Sequence, residues 1–477
     1  MGEPTLAQRL GQFAVDSRFE NLPDDVVDSV RKRVLDIVGI MAAAAPLHTS
    51  RAARRWAQEQ GGRPQAAGVG LAERLPATLA AFSNGVLAHS LDYDDTHLPS
   101  ILHPSACVVP AALAAAQAAG ADGHTTVAAI AVGLEVCVRL GMAGYDADSR
   151  NSVFFEHGQH ATSICGAMGG AVAAALTYGL GAEGVTNVLG VTASMAAGVI
   201  EANRTGGTVK RMHCGWAAHS AVSAAQLVAH GFTGPPTVLE GRFGFFQAWL
   251  HGAFDEGAVT SGLGEQWSVP GIFFKPYPAN HFTHAGIDAA RALRARGLDL
   301  DLIESIQLGV PAANLRTIGE PIEVKRAPET GYMAQFSGPY TVVAGLLGGG
   351  GLSVGLDDFT DELARDPRRR ALMALVDVVP DERCSAIFPY QFPAVLAVRT
   401  RDGQELVEEV FTTRGGPDRP LSFDELATKF HDNASRVLPP DAVERVRDTC
   451  ARLEALADVG DLLEQLRFVD VLDPASA

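Results

Sequence analysis

The residues able to do chemistry in this 477-residue chain gather in four short polar islands between apolar segments. The first, LDYDDTHLPSILHPS at residues 91–105, brings Asp92, Asp94, Asp95, Thr96 and His103 together. If the helix before it runs on for one turn, Asp92 and Thr96 share a face at i, i+4. Pro99 and Pro104 then interrupt regular helix, so His103 is expected at a turn or a new helix start. Acids at a helix end are ordinarily solvated caps, yet both flanking segments here are strongly apolar. The residues of this island leave a helix cap and a cleft wall equally open.

The second island, FFEHGQHATS, holds His157 and His160, with Thr162 or Ser163 as a cap for the apolar helix that follows. A helix N-terminus favours neutral imidazole and a bound carboxylate. A metal held by His157, His160 and a distant acid is the less favoured reading, because no HExxH spacing is present. The third island, RTGGTVKRMHCGWAAHS, sets Arg204, Lys210, Arg211 and His213 just before an Ala-rich helix. Cations there oppose the helix dipole, so an anion receptor is favoured over a structural origin. The fourth, FFKPYPANHFTH, offers Lys275, His281 and His284 on a stretch stiffened by two prolines. Taken singly, Lys275 reads as an ordinary surface lysine, the usual fate of lysines.

The elements that must position these islands change character along the chain. Before residue 268, segments such as LPATLAAFSNGVLAHSLD, SACVVPAALAAAQAAG and ATSICGAMGGAVAAALTYGL exceed strand length and repeat apolar residues at helical spacing. Residues 161–182 carry no charge, but their Ala and Gly content predicts a buried helix rather than a bilayer span. Beyond 268, GIFFKPYP and ESIQLGVPA read as strands and THAGIDAARALRARG and YMAQFSGPYTVVAGLLGG as helices. PAVLAVRTRDGQELVEEVFTT reads as a hairpin around Asp402-Gly403. Helical pattern returns after 415. The expected organisation is a helical domain over 1–268, a smaller α+β domain over 269–415, and helices over 416–477 that complete the first domain. Gly179 to Gly184 matches GxGxxG but follows a helix, and Gly348 to Gly351 lacks a P-loop ending, so neither argues for a nucleotide.

Composition narrows the function. With 47% hydrophobic and 19% charged residues the chain can bury large cores. A net charge of −17, with no block of like charges, argues against nucleic acid or an anionic membrane as partner. An anionic small molecule stays compatible, since bulk charge is screened beyond about 8 Å and the local field decides. Six scattered cysteines without a CxxC pair suit a reducing compartment, and the N-terminal stretch reads as an amphipathic helix rather than a signal peptide; a cytoplasmic location is expected.

Together LDYDDTH with HPS, GQHAT, KRMHCGWAAHSA followed by GFTGPPTVLEGRFGFF, and KPYPANHFTHAGIDAA resemble the MmgE/PrpD family, which includes 2-methylcitrate dehydratase, cis-aconitate decarboxylase and iminodisuccinate epimerase. The motifs stand in the family's order. The resemblance implies a mainly α fold, a large all-helical domain with an inserted α+β lid, a homodimer, no cofactor and no metal. By motif it assigns Asp92, His103 and His160 to catalysis, and Thr96, Lys210, Arg211, Lys275 and His281 to substrate binding. His103 and His160 become the acid/base pair, with Asp92 orienting one of them and Thr96 donating to a carboxylate. Such chemistry develops negative charge beside a carboxylate, which fixed cations and donors stabilise. Two departures bear on the reaction: Ala161 replaces the usual proline of GxHPT, and Leu315 aligns loosely with a tyrosine of decarboxylase-type members. KPYPANH also has one more residue between Lys275 and His281 than decarboxylase-like versions. A dehydratase acting on a 2-methylcitrate-like di- or tricarboxylate is therefore the expected function. An iminodisuccinate-like epimerase, a cis-aconitate-type decarboxylase and a non-catalytic binding protein on the same fold are the alternatives.

Overall fold

The computed structural model describes residues 3–202 and 207–468; Arg204 of the third island lies outside them. The protein is mainly helical with one four-stranded mixed sheet, and it divides into two compact units, residues up to 272 with those from 433 onward, and residues 273–432. Residues 416–432, expected with the C-terminal helices, cluster instead with the second unit. The physical reason lies in helix Phe423–Ala434: Lys429 Nζ donates to the Lys275 carbonyl at 2.8 Å, and Glu425 pairs with Arg414 at 2.6 Å.

Six helices of the first unit matter for the site: α1 (Asp24–Ala44), α2 (Ala77–Ala88), α3 (Ser105–Ala119), α4 (Gly123–Ala143), α5 (Ala161–Thr177) and α6 (Val209–Ala229). α5 is central and packs on α3, α4 and α6, while α6 also packs on α2. Small residues make these crossings possible. A Cβ on Gly169 of α5 would sit 2.3 Å from the Gly133 carbonyl oxygen of α4, and one on Gly215 of α6 would sit 2.5 Å from the Phe82 carbonyl of α2. Backbones therefore touch where larger side chains would hold them apart. α4 is the one helix among the described residues long and apolar enough to cross a bilayer, and 94% of that stretch is buried in the protein. It also carries the buried Glu135–Arg139 pair (2.6 Å), whose arginine donates to the Ser261 and Gln266 carbonyls. The C-terminal segment closes this unit through Gly123 N–H to Leu456 O (2.7 Å) and Gly70 N–H to Leu466 O (3.0 Å).

Two local expectations fail here. α2 ends at Ala88, so Asp92 and Thr96 share no helical face. Asp92 (φ 51°) and Ile101 (φ 54°) take left-handed backbone, and a loop forms that is closed by the His97 N–H to Leu102 O bond (2.8 Å). Left-handed conformation is costly for a β-branched residue such as Ile101. Thr162 and Ser163 do not cap α5 either, because His160 occupies the N-cap position and makes no side-chain cap bond.

In the second unit strands β1 (Ile303–Val310), β2 (Val376–Pro380), β3 (Ala394–Thr400) and β4 (Glu405–Val410) lie in the order β2-β1-β3-β4. β1 and β2 are parallel, with Ile306 opposite Val376; the other pairs are antiparallel, with Leu308 opposite Leu396 and Ala397 opposite Val407. The β3–β4 hairpin turns at Asp402-Gly403, where Gly403 takes φ 85°. Helix α7 (His284–Ala295) packs on β3, β4 and helix α8 (Gly338–Leu347). GIFFKPYP forms no strand, since Pro276 and Pro278 supply no ladder N–H. All six cysteines are buried with free thiols.

The glycine crossing at α4 and α5 is testable. Gly169→Ala is expected to lower stability by about 1–3 kcal/mol through overpacking, read as a lower urea midpoint; an unchanged midpoint would show that the helices separate freely.

Candidate active site

Asp95 holds the first island in place. Its carboxylate, 1% exposed, accepts from Arg33 Nη1 of α1 at 2.5 Å and from the Ser105 hydroxyl, and from the Ser105 backbone N–H at 3.2 Å. The last contact sits at the N-terminus of α3, where a negative charge is favoured. Arg33, equally buried, also donates to the Val269 and Ile272 carbonyls at 3.0 and 2.7 Å. One ion pair thus fastens the loop to two helices.

Above this pair four imidazoles converge, with ring centres 5.1 Å apart for His89–His103, 6.0 Å for His89–His160 and 4.8 Å for His160–His213. His103 Nδ1 lies 2.8 Å from the Asp95 carbonyl, which can only accept, so Nδ1 carries a proton. Thr96 Oγ1 (3.4 Å) and Asp94 Oδ2 (3.9 Å) flank the same nitrogen. The His103 backbone N–H donates to Thr162 Oγ1 at 3.2 Å, which ties the loop to α5. Nε2 of His103 is therefore a lone-pair nitrogen when the ring is neutral and a donor when it is charged.

The remaining rings differ in charge. Burial pulls His89 down, but the Asp94 carboxylate 2.7 Å from its Nδ1 and the Cys214 sulfur outweigh it and raise the ring to about 10. Cys214 responds in kind: burial pushes it up, and hydrogen bonding to Cys107 and the charge of His89 bring it down to about 6. Burial first, then His89, His213, Lys210 and His103 hold His160 well below the usual histidine range. His213 falls to about 4 through burial, His89 and Lys210. Burial, with the charge of His89 second, thus keeps His160 and His213 neutral, with their Nδ1 atoms 2.9 Å apart.

Lys210 and Arg211 stand in the first turn of α6 rather than ahead of it. Lys210 Nζ lies 3.4 Å from Asp92 Oδ1, and Arg211 Nε donates to the Ser90 carbonyl at 3.3 Å. Asp92 is therefore engaged with a lysine, and the Nδ1 of His103 with the Asp95 carbonyl. The first unit brings Asp92, Thr96, His103, His160, Lys210 and Arg211 into one region. Lys275 and His281 belong to the second unit, 1% and 4% exposed, with the His281 ring edge-on to Phe392 at 5.5 Å. His157 is exposed and stacks on His251 at 4.5 Å, and no metal-sized group of three His, Cys, Asp or Glu occurs among the described residues.

Sequence reasoning missed Arg33 and His89 as members of this region and gave Asp94 no role of its own. His89 had a signal, standing four residues after Gly85, whose Cβ would lie 2.8 Å from Gly215 of α6. Arg33 had one too, as a basic residue among the valines of α1.

Comparison with known proteins decides the family. The MmgE/PrpD N-terminal domain model matches residues 8–256 and the MmgE/PrpD C-terminal domain model residues 277–455. The chain belongs to the MmgE/PrpD family. Its curated relatives include cis-aconitate decarboxylases of Homo sapiens (31% identical over 83% of this chain and 80% of the relative) and Mus musculus (31%, 84% and 81%). The cis-aconitate decarboxylase of Aspergillus terreus is 25% identical over 95% of this chain and 94% of its own. As an MmgE/PrpD-family enzyme the protein acts on a small carboxylate, which suits the cations and imidazoles gathered here.

Two measurements probe this arrangement. Arg33→Ala leaves the buried Asp95 without its counter-charge and is expected to cost about 3–5 kcal/mol, seen in urea unfolding; a loss below about 1 kcal/mol would mean that water replaces the guanidinium at little cost. For His213 the unfolded chain binds the extra proton below its ordinary 6.5, while the folded chain resists it down to about 4. Stability is therefore lost as pH falls from 6.5 through 4. His213→Gln should flatten that part of the midpoint-versus-pH curve, and an unaltered slope would argue against a neutral, buried His213.

Proposed function

We propose that this protein is a cofactor-independent carboxy-lyase that decarboxylates a small unsaturated tricarboxylate of the cis-aconitate type. The observation that carries the reading is the placement of Lys210 and His103 around the buried, neutral His160. Similarity to cis-aconitate decarboxylases over most of the chain supports it. In this reading Lys210 and Arg211 bind substrate carboxylates, with Thr96 as a further donor and Asp92 holding Lys210. The carbon–carbon bond to one carboxylate breaks, carbon dioxide leaves, and the electron pair spreads into the remaining unsaturated acid. Fixed cations stabilise that charge. His103, charged by a proton taken from solvent, delivers its Nε2 proton to carbon and is left neutral with Nδ1–H on the Asp95 carbonyl, while His160 donates to a carboxylate. Lys275 and His281 stay substrate-binding candidates on the strength of the KPYP segment. A homodimer belongs to the same reading, and light scattering checks it.

A second reading, a hydro-lyase acting on a 2-methylcitrate-like substrate or an epimerase of an iminodisuccinate-like one, is favoured by Leu315, at the start of helix Leu315–Ile318, which aligns loosely with a tyrosine of decarboxylase-type members. His103 then removes the proton beside a carboxylate, and His160 assists the departing hydroxide in the dehydration.

Proton NMR of the protein in D2O with cis-aconitate, citrate, 2-methylcitrate and substituted succinates separates these readings. Deuterium-labelled product from cis-aconitate with loss of carbon dioxide supports the first; water loss or α-proton exchange supports the second. Silence across the panel from folded protein favours the non-catalytic alternative. His103→Ala is expected to lower kcat by about 10²–10⁴ with the urea midpoint nearly kept; full activity would remove His103 from the mechanism.

A further inference from the structure

The contact between His160 and His213 joins Nδ1 to Nδ1 at 2.9 Å, with both residues buried at 2% and 4% exposure. Neither element can slide freely there. Ser163 Oγ of α5 lies within bonding distance of the His213 carbonyl (3.1 Å) and the Ala197 carbonyl (2.5 Å). The His160 backbone N–H donates to Gly198 O at 3.0 Å. Two neutral imidazoles own one N–H each, and this contact must use one of them. The ring that donates through Nδ1 keeps a bare Nε2, and the ring that accepts keeps Nε2–H. The tautomers of the two rings are therefore opposite and linked.

We propose that His213 is a positioning residue for His160, donating its Nδ1–H to His160 Nδ1 and so keeping the His160 proton on Nε2, where it meets a substrate carboxylate. The direction follows from the role given to His160, which must carry its proton on Nε2 to donate to a substrate carboxylate, so that its Nδ1 is left as the acceptor in the contact with His213. This assignment rests on the proposed role of His160 as a donor. Burial first, then His89, His213, Lys210 and His103 around His160 and His89 and Lys210 around His213, keeps both rings uncharged near neutral pH.

The test uses full-length protein labelled with 15N-histidine and two-bond proton–nitrogen correlation spectra, with His160 assigned by the signals lost in His160→Gln. In unaltered protein His160 is expected in the Nε2–H form. His213→Leu and His213→Gln place no donor at the former Nδ1 position and should release His160 to a mixture of tautomers. His213→Asn puts an amide nitrogen where Nδ1 was and should restore the Nε2–H form. With substrate, Leu and Gln are expected to lower kcat by on the order of 10-fold or more, less than loss of a general acid, with KM little changed and Asn recovering most of the rate. The same thermal midpoint in Asn and Gln variants separates positioning from folding. A His160 pattern of Nδ1–H in unaltered protein, or an unchanged pattern in His213→Leu and His213→Gln, overturns the proposal. Because the spectra are read without substrate, inactivity on the whole substrate panel would count against the proposed function and leave this readout intact.

Discussion

The buried pair of Arg33 and Asp95 is the interaction on which the rest of the site depends. Taking two charges out of water costs several kcal/mol each, and a hydrophobic pair of similar volume is often as stable. Its presence is best understood through what else the two residues do. Asp95 receives the first N–H of α3, and its own carbonyl holds the His103 ring; Arg33 binds the carbonyls of Val269 and Ile272. No apolar substitute offers those contacts. Side chain and backbone of one residue thereby fix both the strained loop and the tautomer of the histidine it presents.

A second layer of electrostatics follows from that scaffold. Asp94, adjacent in sequence, faces His89 and keeps it charged at the bottom of the cluster. The charge then acts across ring-to-ring distances of 5 to 6 Å on histidines that have little solvent to screen it. Three consecutive or near-consecutive acids so divide the labour: Asp92 meets a lysine, Asp94 an imidazolium, and Asp95 a guanidinium.

Much of this was legible in the sequence. The helical first unit followed from the length and spacing of its apolar runs, and the hairpin at Asp402-Gly403 from turn chemistry. The islands that carry His103, His160 and Lys210 were visible because polar residues interrupted long apolar stretches. What stayed hidden depended on distant partners. Arg33 lies 62 positions from Asp95, and the last of three consecutive basic residues on α1 gives no hint of its mate. The left-handed turns at Asp92 and Ile101 replaced the expected helical extension, since tertiary contacts override local preference there. The parallel strand Val376–Pro380 likewise takes its identity from β1 rather than from its own short pattern.

The burial of every thiol has a practical side. Cys107, Cys137, Cys165, Cys214 and Cys450 lie in the first unit, and Cys384 lies in the second. A reagent that captures sulfur reaches them only when the surrounding helices or strands part, so the rate of capture clocks that opening. The protein thus carries native reporters in each unit, five against one, and mapping which sulfur is captured first would rank the two units by their readiness to open.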